Sequence, residues 1–214
     1  MKIALIGATG FVGTAVLNEA LHRGHKVTAI ARNKEKLGHG NENLTVKQAD
    51  AYNSADLAAA IAGNDAVIST FNSGWGNPNI YEDFIRGSES IQEAAKKTGI
   101  KRLLVVGGAG SLEIKPGVQL VDTPEFPAEW KRGAQAARDY LNIIKKENDL
   151  DWTFLSPAII IQHNSNSRPF RLGTDQPVFD ADGKSEISVA DLAKALVDEL
   201  ENGRFIKKRF TLGY

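Results

Sequence analysis

Three glycines near the start of the chain, Gly7, Gly10 and Gly13, follow a short apolar run and precede a segment with helical periodicity. In this spacing Gly7 permits a tight turn, Gly10 lets a phosphate approach the backbone, and Gly13 lets a helix pack close to the strand. The N–H groups of Phe11, Val12 and Gly13 would then meet a diphosphate at the positive end of the helix. The pattern predicts a dinucleotide-binding turn, with a plain strand-to-helix turn as the alternative.

A second candidate follows the next predicted strand, KVTAIA at residues 26–31. An acidic residue at this place would accept hydrogen bonds from the ribose 2′-OH of NAD and repel a 2′-phosphate, but this chain has Arg32. A guanidinium can pair with a phosphate through two N–H groups and lie against adenine, with Thr9 or Lys36 as helpers. We therefore expect NADP(H) to be preferred, with NAD(H) possible. The alternative is that Arg32 is a solvated residue that opens a loop.

Three further side chains could take part in a reaction. Ser111 is the best-placed hydroxyl for a nicotinamide amide or a hydride acceptor, although it could equally cap the next turn. Lys131, beside Trp130, could meet the negative charge of an acceptor, with a solvated lysine as the alternative. His163 titrates near neutral pH but has no carboxylate or second histidine beside it, so we expect it to face water.

The elements that must position these residues alternate regularly between strand and helix. The strand-like runs are KIALI (2–6), KVTAIA (26–31), LTVKQA (44–49), AVISTF (66–71), RLLVVGG (102–108) and WTFLSP (152–157). Their alternation with helical segments predicts an α/β fold with a doubly wound, mostly parallel sheet and helices on both faces. In such a sheet, ligands bind just after the carboxyl ends of the strands.

Local signals mark the ends of several elements. One helix is predicted to start at Asn53 or Ser54 and to stop at Gly63, and another to end at Gly99. A last strand is predicted over residues 204–213, after the helix of residues 188–203. We expect a single domain over residues 1–214, in which the polar, irregular stretch 157–187 forms a small substrate-binding region.

Composition excludes several classes of function. The chain has 214 residues, 42% of them hydrophobic, and its 26 basic and 26 acidic residues balance, so neither nucleic acid nor an anionic membrane is an expected partner. No cysteine is present, which excludes disulfides, thiolate metal sites and a cysteine nucleophile and fits the cytoplasm. We expect no signal peptide, no membrane span and, from the spacing of the four histidines, no metal site.

Taken together, these positions resemble the atypical short-chain dehydrogenases/reductases, and within them the NADH-flavin reductases and biliverdin-IXβ-reductase-like proteins. The matching blocks are GATGFVG (7–13), VVGGAGSL (105–112), DTPEFPAEW (122–130), DWTFLSPA (151–158) and ISVADLAKAL (187–196). The resemblance implies a Rossmann-like fold and contact of the adenine edge with Asp50 and Ala51. With the strand ends, the candidate cofactor contacts are Gly7, Thr9, Gly10, Phe11, Val12, Gly13, Arg32, Asp50, Ala51, Thr70, Phe71, Gly107, Gly108, Pro157, Ala158 and Ile159.

One departure from the resembled group bears on the reaction. Typical members use a tyrosine, with a lysine four residues later, as proton donor and electrostatic partner. Here Tyr52, Tyr81 and Tyr140 are followed at that spacing by Asp56, Ile85 and Ile144, and Tyr214 ends the chain. We therefore predict an NAD(P)H-dependent reductase whose acceptor is a conjugated ring, such as a flavin, quinone or bilin, which needs less help from a positioned acid.

The alternative function is a sensor similar to the NmrA-type regulators, which binds the dinucleotide without turning it over. Both functions need the same glycines. The polar, irregular segment from Gln162 to Asp182 favours a substrate lid, and hence the reductase. The sequence leaves the oligomeric state open.

Overall fold

Twelve strands and five α-helices form within residues 1–37, 40–164 and 166–214, which are the residues that this computed structural model describes. The strands are β1 (Lys2–Ile6), β2 (Lys26–Ala31), β3 (Leu44–Gln48), β4 (Ala66–Ser69), β5 (Arg102–Val106), β6 (Glu113–Lys115), β7 (Val118–Gln119), β8 (Asp151–Leu155), β9 (Ile160–Gln162), β10 (Arg171–Gly173), β11 (Glu186–Ser188) and β12 (Lys208–Gly213). The helices are α1 (Phe11–His22), α2 (Ser54–Ile61), α3 (Ile80–Thr98), α4 (Ala128–Ile144) and α5 (Val189–Asn202).

The main sheet has eight strands in the order β10-β12-β8-β5-β4-β1-β2-β3. Every neighbouring pair is parallel except β10 and β12, which are antiparallel. The prediction of a doubly wound, mostly parallel sheet is therefore confirmed. Because β1 pairs with both β2 and β4, the strand order reverses at β1, and a ligand crevice is expected beyond its carboxyl end.

Helices cover both faces of the sheet, which explains why β1 reads as an unbroken apolar run after Lys2. On one face α1 and α5 pack on the sheet, and Val16 and Leu196 of these helices are 0% exposed. On the other face α2, α3 and α4 do the same, with Leu57 and Ile144 equally buried. No helix in the described part of the chain is long and apolar enough to cross a membrane.

The predicted helix boundaries agree with the structure. Asn53 is the N-cap of α2, where its side chain accepts hydrogen bonds from the backbone N–H groups of Ala55 and Asp56 at 3.1 and 3.2 Å. Helix α3 ends at Gly99, whose φ of 75° is the left-handed conformation that glycine adopts without strain.

The last strand is shorter than predicted, because it begins at Lys208 and not at Arg204. The N–H groups of Arg204 and Phe205 donate to the Glu199 carboxylate, each at 3.0 Å, which turns the chain back towards α5. Lys207 has a φ of 56°, outside the strand region. The correction shortens the predicted strand by four residues.

The stretch 157–187, predicted to be irregular, contains three short strands. Strands β9 and β11 pair in parallel with each other, and β10 extends the main sheet beside β12. Asp191 of α5 anchors the stretch, since its buried carboxylate accepts hydrogen bonds from Ser167 Oγ at 2.6 Å and from the Arg168 N–H at 3.0 Å. Burial opposes ionisation of Asp191, but the hydrogen bonds it accepts outweigh burial and hold its pKa below the usual value.

Candidate cofactor-binding site

The glycine turn between β1 and α1 leaves no space for side chains at two of its three glycines. Gly7 has a φ of 84°, and a Cβ added there would lie 2.8 Å from the Thr70 carbonyl oxygen. A Cβ at Gly13 would lie 2.0 Å from the Gly7 carbonyl oxygen. Within the described residues, a Cβ at Gly10 would meet only that same oxygen, at 3.3 Å. Gly7 and Gly13 are thus required by packing, whereas Gly10 presents an open side to an incoming group.

Helix α1 begins at this open side without a capping side chain. Gly10 is its N-cap, and the first N–H to bond back along the helix is that of Thr14, which donates to the Gly10 carbonyl at 2.9 Å. The N–H groups of Phe11, Val12 and Gly13 lie in the first turn, where helix geometry provides no intrahelical acceptor. These donors at the positive end of the helix suit an anion such as a diphosphate.

A cleft of about 160 Å³ opens beside this turn, at the carboxyl ends of β1 to β4. It brings together eight residues predicted to contact the cofactor: Gly7, Thr9, Gly10, Arg32, Asp50, Ala51, Thr70 and Phe71. Tyr52 also lines the cleft, although it is not among the predicted cofactor contacts and is discussed only as a candidate proton donor. An aromatic residue just after the end of a strand is the signal that could have predicted this position.

Two aromatic rings form the far wall of the cleft. The Tyr52 and Phe71 rings meet edge to face, with centroids 5.9 Å apart, and the Arg86 guanidinium lies 4.3 Å from the Tyr52 ring centroid. A Cβ at Gly87 would lie 2.5 Å from the Phe71 ring, so that glycine makes room for it. Burial raises the pKa of the Tyr52 hydroxyl, which therefore remains neutral at physiological pH.

Arg32 lines the cleft directly after β2, with an exposed side chain. Among the described residues it forms no ion pair and no hydrogen bond through its guanidinium. Asp50 is partly engaged, because its side chain accepts a hydrogen bond from the Tyr52 N–H at 3.0 Å. The Lys36 side chain, a predicted helper of Arg32, and His39 lie outside the described residues.

The remaining predicted cofactor contacts follow β5 and β8, which are neighbours in the sheet. Gly107 packs tightly there, since an added Cβ would lie 2.0 Å from the Phe154 ring. Gly108 follows Gly107 in the chain after β5. After β8, Pro157 and Ala158 are buried, and Ile159 is 42% exposed. These residues do not line the cleft beside β1, but they occupy the same carboxyl edge of the sheet.

The two predicted catalytic residues differ in accessibility. Ser111 is 1% exposed, its Oγ lies 3.1 Å from Ser156 Oγ, and Arg209 donates to its carbonyl oxygen at 2.7 Å. Lys131 is half-buried on α4, one turn before Ala134. Ala134 packs on Gly110, since its Cβ lies 3.0 Å from the position that a Cβ at Gly110 would take. Lys131 thus shares the helix face that packs on the turn of residues 107–111. A catalytic role for either residue stays a prediction.

His163 is exposed, as expected, but it also makes a contact that the sequence did not predict. Its ring stacks on that of Phe11, with centroids 3.8 Å apart and an interplanar angle of 18°. The stretch 157–187 therefore contacts the first residue of α1 through His163. Within the described residues, no group of three or more His, Cys, Asp or Glu side chains could hold a metal ion.

A family model described as NAD(P)H-binding matches residues 7–203. The chain belongs to this NAD(P)H-binding family. It is 38% identical over 216 residues to the uncharacterized protein YwnB of Bacillus subtilis, a match that covers 99% of this chain and 98% of YwnB.

Two solved structures are similar over the full chain. A "putative epimerase" from Bacteroides thetaiotaomicron is 46% identical, with a TM-score of 0.91, and the match covers 100% of this chain and 96% of that one. A "putative NADH-flavin reductase" from Streptococcus pneumoniae is 37% identical, with a TM-score of 0.85, and the match covers 100% and 99% of the two chains. The resemblance to the atypical short-chain dehydrogenases/reductases is confirmed, and with it the Rossmann-like fold. The chain is an NAD(P)-binding protein of the oxidoreductase type, and its glycine turn fits the cofactor.

Proposed function

We propose that the chain is a reductase that prefers NADP(H) and reduces a flavin or a similar conjugated acceptor. The observation that carries the proposal is the cleft that runs from the open side of Gly10 to the exposed guanidinium of Arg32. A dinucleotide with its diphosphate at the first turn of α1 would place its adenosine half in this cleft. Tyr52 and Phe71 would then lie on the adenine side.

The preference for NADP(H) rests on the charge and freedom of Arg32. An exposed guanidinium that has no carboxylate partner among the described residues can form two parallel hydrogen bonds with a 2′-phosphate. Hydrogen bonds to charged groups contribute about 2 kcal/mol, which corresponds to about thirtyfold in affinity. The nearby carboxylate, Asp50, is turned towards the Tyr52 N–H.

The choice of a conjugated acceptor rests on the tyrosines, whose hydroxyls are occupied elsewhere. Tyr81 donates to Asp139 at 2.8 Å, Tyr140 is 1% exposed and donates to Gln92 at 3.2 Å, and the Tyr214 hydroxyl donates to Asp191 at 2.8 Å. Tyr52 stands at the adenine side of the cleft.

A reaction that needs no positioned acid follows from this arrangement. When bound, a reduced nicotinamide would supply a hydride, so that the acceptor ring gains that hydride and a proton from water while the nicotinamide is oxidised. The turn of residues 107–111 and Lys131 would orient the acceptor. A flavin, quinone or bilin spreads the incoming charge over its ring, which removes the need for the missing tyrosine and lysine pair.

The test follows the loss of nicotinamide absorbance with NADPH or NADH against a panel of FMN, quinones and biliverdin. We expect FMN reduction with a preference for NADPH, and reversal of that preference in Arg32→Asp. Lys26→Asp is the matched control, because Lys26 is an exposed cation at the opposite end of the same strand. A preference that survives in Arg32→Asp would contradict the role of Arg32. Tight NADPH binding without reduction of any acceptor would instead favour the sensor.

A further inference from the structure

A buried arginine stands at the edge of the proposed acceptor side. Strand β12 pairs with β8 over residues 208–210 and then continues past the end of β8 to pair with β10. Arg209 lies in the first part of β12 and is 7% exposed. Because a buried charge is costly unless it is paired, the partners of Arg209 indicate the role of this side chain.

The guanidinium joins two segments that are far apart in the sequence. Its Nη1 donates to the Ser111 carbonyl oxygen at 2.7 Å and lies 3.3 Å from Ser111 Oγ. Its Nη2 donates to the carboxylate of Asp175, in the loop after β10. The Asp175 carbonyl in turn accepts a hydrogen bond from the Glu113 N–H at 2.8 Å. Arg209 therefore connects the turn after β5 with the loop of the substrate-side stretch.

The two members of this ion pair differ in exposure. The Arg209 side chain is 5% exposed, whereas that of Asp175 is 65% exposed. Nε of Arg209 is buried and has no hydrogen-bond partner among the described residues. The cation is thus fixed inside the protein, and only the carboxylate on the loop can move away. Such a movement would leave Arg209 buried with fewer partners, which favours the docked position of the loop.

We propose that Arg209 is a positioning residue that, through Asp175, latches the substrate-side loop onto the turn of residues 107–111. The proposal rests on the proposed function, which places that turn beside the hydride acceptor. Neither Arg209 nor Asp175 lines the cleft beside β1. The latch therefore lies away from the cleft proposed for the adenosine half of the nucleotide, and we expect it to act mainly on the binding of the acceptor.

The first experiment measures amide hydrogen exchange in the free protein for wild type, Asp175→Ala and Asp175→Asn. We expect exchange at Glu113 and in the loop around residue 175 to rise about tenfold in Asp175→Ala, because a charge-assisted hydrogen bond is lost. Asp182→Asn is the matched control, since Asp182 is exposed in the same stretch and forms no ion pair within the described residues. Asp175→Asn retains the size of the side chain and lacks only its charge. Added salt should increase exchange in the wild type more than in Asp175→Asn.

The second experiment separates acceptor binding from nucleotide binding. In Asp175→Ala we expect the KM for FMN to rise several-fold, with kcat and the Kd for NADPH nearly unchanged. Exchange in Asp175→Ala equal to that in Asp182→Asn would overturn the latch, as would a Kd for NADPH that rises together with the KM for FMN. If the wild type reduces no acceptor, the proposed function fails, but hydrogen exchange still decides whether the latch exists.

Discussion

Alanine substitutions at Gly10 and Gly13 separate the cofactor site from the fold. A Cβ at Gly13 would lie 2.0 Å from the Gly7 carbonyl oxygen and 2.8 Å from Thr70 Oγ1, so α1 would have to move away from β1. Overpacking of this kind costs about 1–3 kcal/mol, and each kcal/mol lowers the Tm of a chain of this size by about 2–4 °C. Among the described residues, a Cβ at Gly10 meets only the Gly7 oxygen, at 3.3 Å, on a backbone with a φ of −80° that alanine adopts freely.

Gly10→Ala should therefore have the opposite effect to Gly13→Ala: it should leave the fold nearly as stable and should weaken the binding of NADPH. Alanine is a poorer N-cap than glycine, so we expect a loss of at most about 1 kcal/mol of stability. Its methyl group would project into the open side of the turn, where the diphosphate is proposed to bind. A tenfold loss of affinity corresponds to about 1.4 kcal/mol, and we expect the Kd for NADPH to rise by at least this factor.

The assay combines thermal unfolding with calorimetric titration of NADPH for both variants. Gly76→Ala is the control for loss of a glycine, because a Cβ added there would have no non-neighbouring atom of the described residues within 4 Å. A wild-type affinity in Gly10→Ala would show that the diphosphate does not bind at the start of α1. Equal destabilisation by Gly10→Ala and Gly13→Ala would refute the steric reasoning.

Three further predictions concern the acceptor side and stability. Ser111→Ala should slow single-turnover oxidation of NADPH by FMN only several-fold, about 1 kcal/mol, since the shorter of the two Arg209 contacts with Ser111 is the hydrogen bond to its backbone carbonyl oxygen, which alanine retains. Collapse to the background rate at unchanged NADPH affinity would identify the hydroxyl as an essential acid. Burial opposes ionisation of Glu147, but the hydrogen bonds it accepts and the charge of Lys96 lower its pKa from 4.5 to about 2. Ionised Glu147 therefore contributes about 3 kcal/mol to the free energy of unfolding at pH 7 and about 2 kcal/mol at pH 3.5. In urea unfolding, the difference in stability between wild type and Glu147→Gln should shrink as the pH falls across this range. A constant difference would contradict the lowered pKa. Asn53→Ala should lower the free energy of unfolding by about 1 kcal/mol through loss of the α2 cap, and an unchanged urea midpoint would contradict this.

The cleft that is proposed to hold the nucleotide could be predicted from the sequence because its signals are local. Gly7, Arg32, Asp50 and Thr70 each come within two residues of the end of a strand whose apolar run is visible in the sequence. Parallel strands bring their carboxyl ends to one edge of the sheet, so positions far apart in the chain meet without any knowledge of pairing. The cleft beside β1 then follows from strand order alone.

The stretch 157–187 could not be predicted in the same way, because its short strands depend on pairing between distant residues. Ile161 of β9 lies opposite Ile187 of β11, and Leu172 of β10 lies opposite Leu212 of β12. Strands of three residues are too short to show a period of two. The turn at Lys207 likewise depends on the Glu199 carboxylate, which binds the preceding N–H groups from another element.

Arg209 shows most clearly how tertiary structure can bury a side chain that the sequence suggests is exposed. In the sequence it follows two lysines and suggests a solvated charge at the start of a strand. Alternation along β12 places Phe210 and Leu212 on the face that packs with α1 and α5, and Arg209 on the opposite face. That face would be open to water at the edge of the sheet, but β10 is the edge strand and the loop after it covers Arg209. The charge is buried because of a strand that the periodicity did not show.

The two parts of the proposed site therefore depend on different features of the chain. The cleft beside β1 depends on local sequence signals, and the acceptor side depends on pairing between distant residues. The proposed nucleotide site consists of one turn and a few strand ends. The proposed acceptor side is formed by the loop after β10, the turn after β5 and the start of α4, and Arg209 joins the first two of these through Asp175 and Ser111. Substitutions in the loop should consequently change the acceptor while the nucleotide preference proposed for Arg32 persists, because no described contact of Arg209 or Asp175 reaches the cleft beside β1.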